Sequence, residues 1–389
     1  MSYEVLGLKE KILQIISYIL VAVAATVVTL AVTQEEEEYR KLEELQGLID
    51  ACFIEEADMN ALEDAAAAAM VMATGDRWSY YIPASEYESY QEQMNNAYVG
   101  VGITIQVKPG DGFLIVEVAP GGPAEEAGLE VGDMMIAVED QDIREMDTNQ
   151  VRDLVRGKEG TFVNLAVLRQ GERYAFSVER RQVQTAVATY ELLEEKIGLV
   201  KIENFDSRCA QETIAGIEAL LEDGAEKLIF DVRYNPGGFA SQLVEILDYL
   251  LPEGELFRTV RYDGTENVDM SGPECLEIPM AVLVNGGSYS AAEFFAAALS
   301  EYEAAVIVGE PTVGKGYFQF TYQLQDGSAV ALSVGKYFTP NGVSLAEEGI
   351  TPDVLVSVDE ETEAGIYYGT LDPRDDPQIR AAVEALNEK

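Results

Sequence analysis

The stretch Met280-Ala281-Val282-Leu283-Val284-Asn285-Gly286-Gly287-Ser288-Tyr289-Ser290-Ala291-Ala292-Glu293-Phe294-Phe295-Ala296-Ala297-Ala298-Leu299 reads as a strand, a turn and a helix. Its first five residues are apolar throughout, the pattern of a strand buried on both faces. Two glycines then turn the chain, and a run rich in strong helix formers follows. Ser290 therefore falls near a helix N-terminus, where unpaired N–H groups and the helix dipole favour negative charge. If its hydroxyl attacked a carbonyl, the N–H of Ala291 would lie beside the resulting oxyanion. Read alone, a serine before a helix is more often a cap, and Ser288 competes on the same grounds.

The 389 residues include no histidine, so a Ser-His-Asp triad is impossible. A different base is available twenty-five positions beyond Ser290, at Lys315 in Gly314-Lys315-Gly316. An ordinary lysine, with a pKa near ~10.4, cannot accept a proton at neutral pH. Desolvation lowers that value, and Tyr317, Phe318 and Phe320 are apolar flanks that would supply it. Gln319, four residues on, is a candidate to hold the amine by a hydrogen bond. A third element is Asp231-Val232-Arg233-Tyr234-Asn235-Pro236-Gly237-Gly238, where a buried strand ends in a Pro-Gly-Gly turn. Consecutive glycines let backbone N–H groups approach a ligand, so Gly237 or Gly238 is a candidate second oxyanion donor.

Outward from these motifs, strands alternate with helices from Gly198 onward, the order of an α/β core with crossover connections. Upstream, between Tyr98 and about Arg181, the chain is strand-rich. Val99-Gly100-Val101-Gly102-Ile103 opens a glycine-led strand, Pro123 to Leu129 reads as a short helix closed by glycine, and a further helix is expected around Thr148 to Val155. Glu35 to about Thr74 is helical in pattern, with Leu42, Leu45, Ile49, Cys52 and Phe53 at three- and four-residue steps. Ile12 to Val32 is 21 residues without a charge, preceded by Lys9 and Lys11. That is long enough for one membrane-spanning helix, and the basic flank favours a cytoplasmic N-terminus. The expected divisions are 1–33 (cytoplasmic stub and signal anchor), 34–97 (helical), 98–181 (strand-rich unit), 182–371 (α/β core) and 372–389 (acidic helical tail).

The composition excludes several classes. With 26 Lys+Arg against 70 Asp+Glu the formal charge is −44, which argues against nucleic acid and against docking on anionic lipid. Three scattered cysteines form neither a disulfide framework nor a zinc pattern. No metal and no cofactor is expected.

These motifs, in this order, resemble the carboxyl-terminal processing proteases, exported or membrane-anchored serine peptidases that contain a PDZ domain. The Pro-Ala-x-x-Ala-Gly-Leu-x-x-Gly-Asp run from Pro123 to Asp133 carries the PDZ part of the resemblance. Asp231 to Gly238, Asn285 to Glu293, Val308 to Gln319 and Gly349-Ile350-Thr351-Pro352-Asp353 carry the rest. The resemblance implies a core related to the crotonase and Clp-protease type. It also implies a nucleophile at Ser290, a base at Lys315, an orienting residue at Gln319, and oxyanion donors at Ala291 and Gly237 or Gly238. Tyr289 is larger than the residue the family often has there. The expected function is a membrane-anchored endopeptidase that cleaves extracytoplasmic proteins. It would capture apolar, free substrate C-termini on Val99, Gly100, Val101, Gly102 and Ile103. Arg156 is a candidate for coupling the PDZ unit to the site, and the helical termini are candidates for homo-oligomer contacts. The rival readings are a catalytically inactive, membrane-tethered PDZ scaffold and a crotonase-type acyl-CoA enzyme.

Overall fold

A computed structural model describes residues 41–94, 97–184 and 186–388, together with Val23. The expected anchor, Ile12 to Val32, lies outside the described residues except for Val23. Among the described residues no helix is long and apolar enough to cross a membrane. The chain divides into two units, one ending at Met70 and the other beginning at Val71. In the first, residues 41–52 are helical and a second helix begins at Met59. Leu42, Leu45, Leu48 and Phe53 are exposed on this unit.

The second unit is built on a six-stranded sheet whose order is Ala188–Leu193, Ile197–Ile202, Lys227–Asp231, Met280–Val284, Ala305–Gly309 and Val354–Leu355. All neighbours are parallel except the first pair. Burial on both faces explains why the central strand Met280–Val284 is apolar at every position. Phe230, Val282 and Val284 face a core shared with Phe294, Phe295, Leu243 and Ile217 from three helices. Ile229, Ala281 and Leu283 face the other side, where Ile379, Ala382 and Leu386 of the helix Pro377–Glu388 cover them. The expected acidic tail is therefore helical but forms one of the two layers that close the sheet.

A second sheet is packed around the long strand Ala329–Phe338, which pairs with Tyr80–Ile82, Glu255–Arg261 and Tyr317–Gln323. Glu266–Met270 extends it beyond Glu255–Arg261. Because Tyr80–Ile82 belongs to this sheet, the segment just before it, from Asp76 to Ser79, is brought to the edge of the core.

The strand-rich unit contains the sheet Ile103–Lys108, Gly112–Val118, Met134–Val138, Phe162–Arg169 and Glu172–Glu179. The short helix Pro123–Ala127 ends, as its sequence requires, on Gly128 at φ 91. The helix Thr148–Val155 starts from an Asp147 capping box with Gln150.

Candidate active site

The site forms at the carboxyl ends of two adjacent parallel strands, Lys227–Asp231 and Met280–Val284, where α/β sheets usually hold ligands. After Val284 the turn is braced internally. The Asn285 side-chain oxygen accepts from the N–H groups of Tyr234 and Gly287, both at 2.9 Å. The Ser288 hydroxyl donates to the Val232 carbonyl at 2.7 Å and accepts from the Asn285 N–H at 3.0 Å. Ser288 is fully buried and its hydroxyl is occupied on both sides, so it works as a brace.

Ser290 has the opposite character. It precedes the helix Ala291–Glu301 with φ 59 and ψ −124, a conformation a non-glycine residue holds only when its surroundings enforce it. Its N–H donates to Glu293 Oε2 at 2.9 Å. Among the described residues, no hydrogen bond joins its hydroxyl to another side chain. Gly237 presses against it: a Cβ at Gly237 would lie 2.8 Å from both the Ser290 Cβ and the Ala291 nitrogen. Only glycine fits there, and its φ of 86 is also in the left-handed region.

The two glycines differ as donors. The Gly237 N–H is committed to the Asn235 side-chain oxygen at 2.8 Å, while the Asn235 amide donates to the Ile202 carbonyl. Gly238 is bridged to Phe205. Among the described residues its N–H has no hydrogen-bond partner, and neither does that of Ala291. Of the expected oxyanion donors, Ala291 and Gly238 are thus open and Gly237 is closed.

Glu293, the last residue of the Asn285 to Glu293 motif and one to which the sequence alone assigns no role, is the hub of the site. It is completely buried. Its Oε2 accepts from the N–H groups of Ser290 and Lys315, each at 2.9 Å. Its Oε1 accepts from the Gly314 N–H at 2.7 Å and the Thr312 hydroxyl at 2.5 Å. One carboxyl group therefore binds the segment carrying the candidate nucleophile to the segment carrying the candidate base.

Lys315 is half-buried. Its Nζ lies 5.0 Å from the centroid of the Trp78 ring and 5.6 Å from that of Tyr289, and these two rings stack at 6.1 Å. Burial pushes its pKa below the ordinary lysine value, against the opposing pull of the Asp76 and Glu293 charges. Asp76 is itself held below the usual carboxylate range: burial raises it, but hydrogen bonds from Ser333, Ser79 and the Trp78 N–H outweigh that. The desolvating surface is thus Trp78 and Tyr289 rather than the expected flanks, since Phe318 packs on Tyr337 and Phe320 is exposed. The expected bond from Gln319 to the amine is not made. Its amide donates instead to the Ser333 hydroxyl at 3.0 Å and the Tyr317 carbonyl at 3.3 Å, beside a register shift at Phe318/Gln319.

Behind the glycine loop, Arg233 is buried between two carboxylates, Asp231 at 2.6 Å and Asp376 at 2.8 Å. This network joins the loop to the last helix.

A separate groove of about 260 Å³ runs between the strand Ile103–Lys108 and the helix Thr148–Val155. Of the expected peptide-binding residues it brings together Gly100, Val101, Gly102 and Ile103, with Arg156 nearby, its guanidinium 5.7 Å from the Tyr98 ring centroid. Val99 does not line it; its N–H donates to Glu92 at 3.2 Å.

An α/β core with a serine on a strained strand-to-helix turn, joined to a small β-sheet unit with a peptide-sized groove, suggests a class, and comparison with known proteins fixes it. Residues 196–356 match the model of peptidase family S41, and residues 114–169 match that of the PDZ domain. The chain is 31% identical to the carboxy-terminal processing protease CtpA of Bacillus subtilis (strain 168), over 82% of this chain and 69% of that one. It is 28% identical to a probable CtpA-like serine protease of Staphylococcus aureus (strain COL), over 86% of this chain and 68% of that one. A solved photosystem II D1 C-terminal processing protease is similar at 25% identity and a TM-score of 0.49, covering 86% of this chain and 92% of that one. The chain belongs to the carboxy-terminal processing proteases of peptidase family S41 and is a serine peptidase with a PDZ domain.

Proposed function

We propose that the chain is a membrane-anchored endopeptidase that acts on extracytoplasmic proteins through a Ser290/Lys315 dyad. The observation that carries this reading is the shared Glu293 Oε2, which fixes the backbones of Ser290 and Lys315 with equal 2.9 Å bonds. An amine depressed by burial and an alcohol on a strained turn are the two halves of such a dyad.

The chemistry needs the Lys315 side chain to swing from the aromatic rings toward Ser290, a motion of its own flexible stem. The neutral amine then takes the hydroxyl proton as the Ser290 oxygen attacks the peptide carbonyl. The N–H groups of Ala291 and Gly238 donate hydrogen bonds to the oxyanion. Lys315 returns the proton to the leaving nitrogen as the C–N bond breaks, leaving an ester on Ser290. Water attacks that ester, its proton passes through Lys315 back to the serine oxygen, and the acid leaves. Gly237 serves as the space-making residue beside Ser290.

Substrate selection falls to the groove at Gly100 to Ile103, where an extended peptide would add to the sheet edge with its apolar C-terminal residue on Ile103 and Ile105. Arg156 at the groove supplies a cation for the terminal carboxylate. The uncharged span Ile12 to Val32 supports the anchor, with the remainder of the chain outside the cytoplasm.

Ser290→Ala and Lys315→Ala tested against an unfolded extracellular protein decide the dyad: each is expected to abolish cleavage, and full activity in either removes that residue from the mechanism. Labelling by a serine-directed phosphonate separates the peptidase from an inactive PDZ scaffold, which would stay unlabelled.

A further inference from the structure

A cavity of about 860 Å³ lies between the Thr74–Ser79 segment and the second sheet, bordered by Trp78 and Tyr317 close to Lys315. Three cations line it: Arg77, Arg261 and Lys336. In a chain with 70 acidic and only 26 basic residues, carboxylates are plentiful. Yet among the described residues none of these three forms a salt bridge. Each rests on an aromatic face instead: Arg77 at 4.5 Å from the Trp78 centroid, Arg261 at 5.2 Å from Phe320 and Lys336 at 5.6 Å from Tyr317. A ring orients a cation without neutralising it, so the charge stays available to an incoming anion. Arg261 adds a second sign, because its Nε is buried without a hydrogen-bond partner, and such an orphan donor calls for an explanation.

Two carboxylates also line the cavity, Asp76 and Glu347. Asp76 is occupied by the Ser79 hydroxyl at 2.5 Å and the Trp78 N–H at 3.1 Å, and Glu347 is exposed at the rim. The balance is positive on a molecule that is otherwise strongly negative.

We propose that this cavity is a subsite for an acidic segment of the protein substrate, held by Arg261, Lys336 and Arg77 on the approach to the scissile bond. The inference rests on the peptidase reading for its purpose, but its binding chemistry is independent of turnover. Guanidinium and ammonium groups give charge-assisted hydrogen bonds to Asp and Glu side chains. A cationic opening in an acidic surface also directs acidic segments to this place rather than elsewhere on the molecule.

The test measures binding to the full chain carrying Ser290→Ala, so that nothing is cleaved. The probes are a glutamate-rich peptide and its glutamine counterpart, both amidated at the C-terminus so that PDZ capture of a carboxylate is not read. The glutamate peptide is expected to bind about tenfold more tightly, with the ratio narrowing at high salt. Arg261→Gln and Lys336→Gln, each added to that background, are expected to bring the ratio towards one, and Arg261→Lys to retain most of it. Equal binding of the two peptides, or a preference that survives both glutamine substitutions, overturns the proposal. Wild-type turnover of an uncharged peptide is scored separately: its failure sinks the peptidase reading and leaves the binding ratio standing.

Discussion

The Lys315 amine sits 5.0 Å from the centroid of the Trp78 ring and, among the described residues, makes no hydrogen bond to the Ser290 hydroxyl. Two influences on it are opposed. Burial favours the neutral amine, whereas the faces of Trp78 and Tyr289 favour the ammonium. The Lys315 amine thus rests against two aromatic faces and not on the Ser290 hydroxyl.

Tyr289 can be tested apart from Trp78 by keeping its bulk and removing its ring. The charged and titratable groups around Lys315 are Asp76 and Glu293, with Arg77 on the Trp78 ring and Tyr80 beside Tyr289. Of these, Tyr289→Leu affects only Tyr80, whose pKa Tyr289 raises and which stays protonated across the acidic limb, and it leaves an apolar side chain over the amine. Loss of a cation–π contact lowers the amine pKa, so the acidic limb of kcat/KM is expected to move to lower pH by roughly half a unit to one unit. Tyr289→Phe is expected to leave the limb in place. Identical limbs in the two variants would remove the ring from any role in holding the cation.

Lys315 also carries a stability signature. Because its folded pKa is depressed, the unfolded chain binds that proton more tightly between the folded value and the ordinary ~10.4. Below the folded pKa the burial penalty is full and constant; through the window above it, stability rises with pH as the penalty disappears. Lys315→Met has no such term. Urea midpoints of wild type and Lys315→Met are therefore expected to converge, the wild type gaining, as pH is raised from about 7 to about 10. A difference that stays constant over this range would place the amine in an unperturbed environment. The variant is expected to be inactive throughout.

The strand-turn-helix at Met280 to Leu299 and the order of strands and helices were legible because both follow from local periodicity. The Pro-Gly-Gly turn was legible as a close backbone approach, but not that Gly237 would press on Ser290 with its N–H already bonded to Asn235. The second sheet was less legible. Tyr317–Gln323 reads as aromatic flanks to a lysine, and only its pairing with Ala329–Phe338 makes it a strand. The role of Trp78 depends on a contact across more than two hundred residues, which no local pattern encodes. Glu293 was visible as a letter in a motif, but its four donors come from Ser290 and from the 312–315 loop, and only folding brings them to one carboxyl group. Gln319 is the reverse case: its spacing suits holding an amine, yet its amide bonds to Ser333 and to the Tyr317 carbonyl.

Glu293 gives the next expectation. Glu293→Gln replaces one acceptor oxygen with an NH2 group, which would then face donors it cannot accept from. Two hydrogen bonds are lost at a buried position, at a cost of about 3 kcal/mol in unfolding free energy. Activity is expected to fall by more than stability requires, because the Ser290 and Lys315 segments lose their common anchor. A variant with wild-type kcat at a temperature where it remains folded would reduce Glu293 to a packing role.

Asp376 makes a similar argument at longer range. Its Oδ2 pairs with the buried Arg233 at 2.8 Å, and its Oδ1 accepts from the N–H groups of Gln378 and Ile379 at 2.8 and 3.2 Å, capping the last helix. Arg233 lies four residues before Gly237, so the charge at Asp376 supports the glycine loop that packs against Ser290. Asp376→Ala leaves a buried guanidinium with one carboxylate and an uncapped helix, a loss of about 3–5 kcal/mol. Asp376→Asn keeps a cap oxygen and removes only the charge, so the two variants separate the contributions. If the pairing with Arg233 holds the loop, both variants lower kcat, the asparagine form with the smaller drop in unfolding midpoint. If Asp376→Asn retains full kcat while Asp376→Ala does not, the helix cap and not the ion pair supports the site.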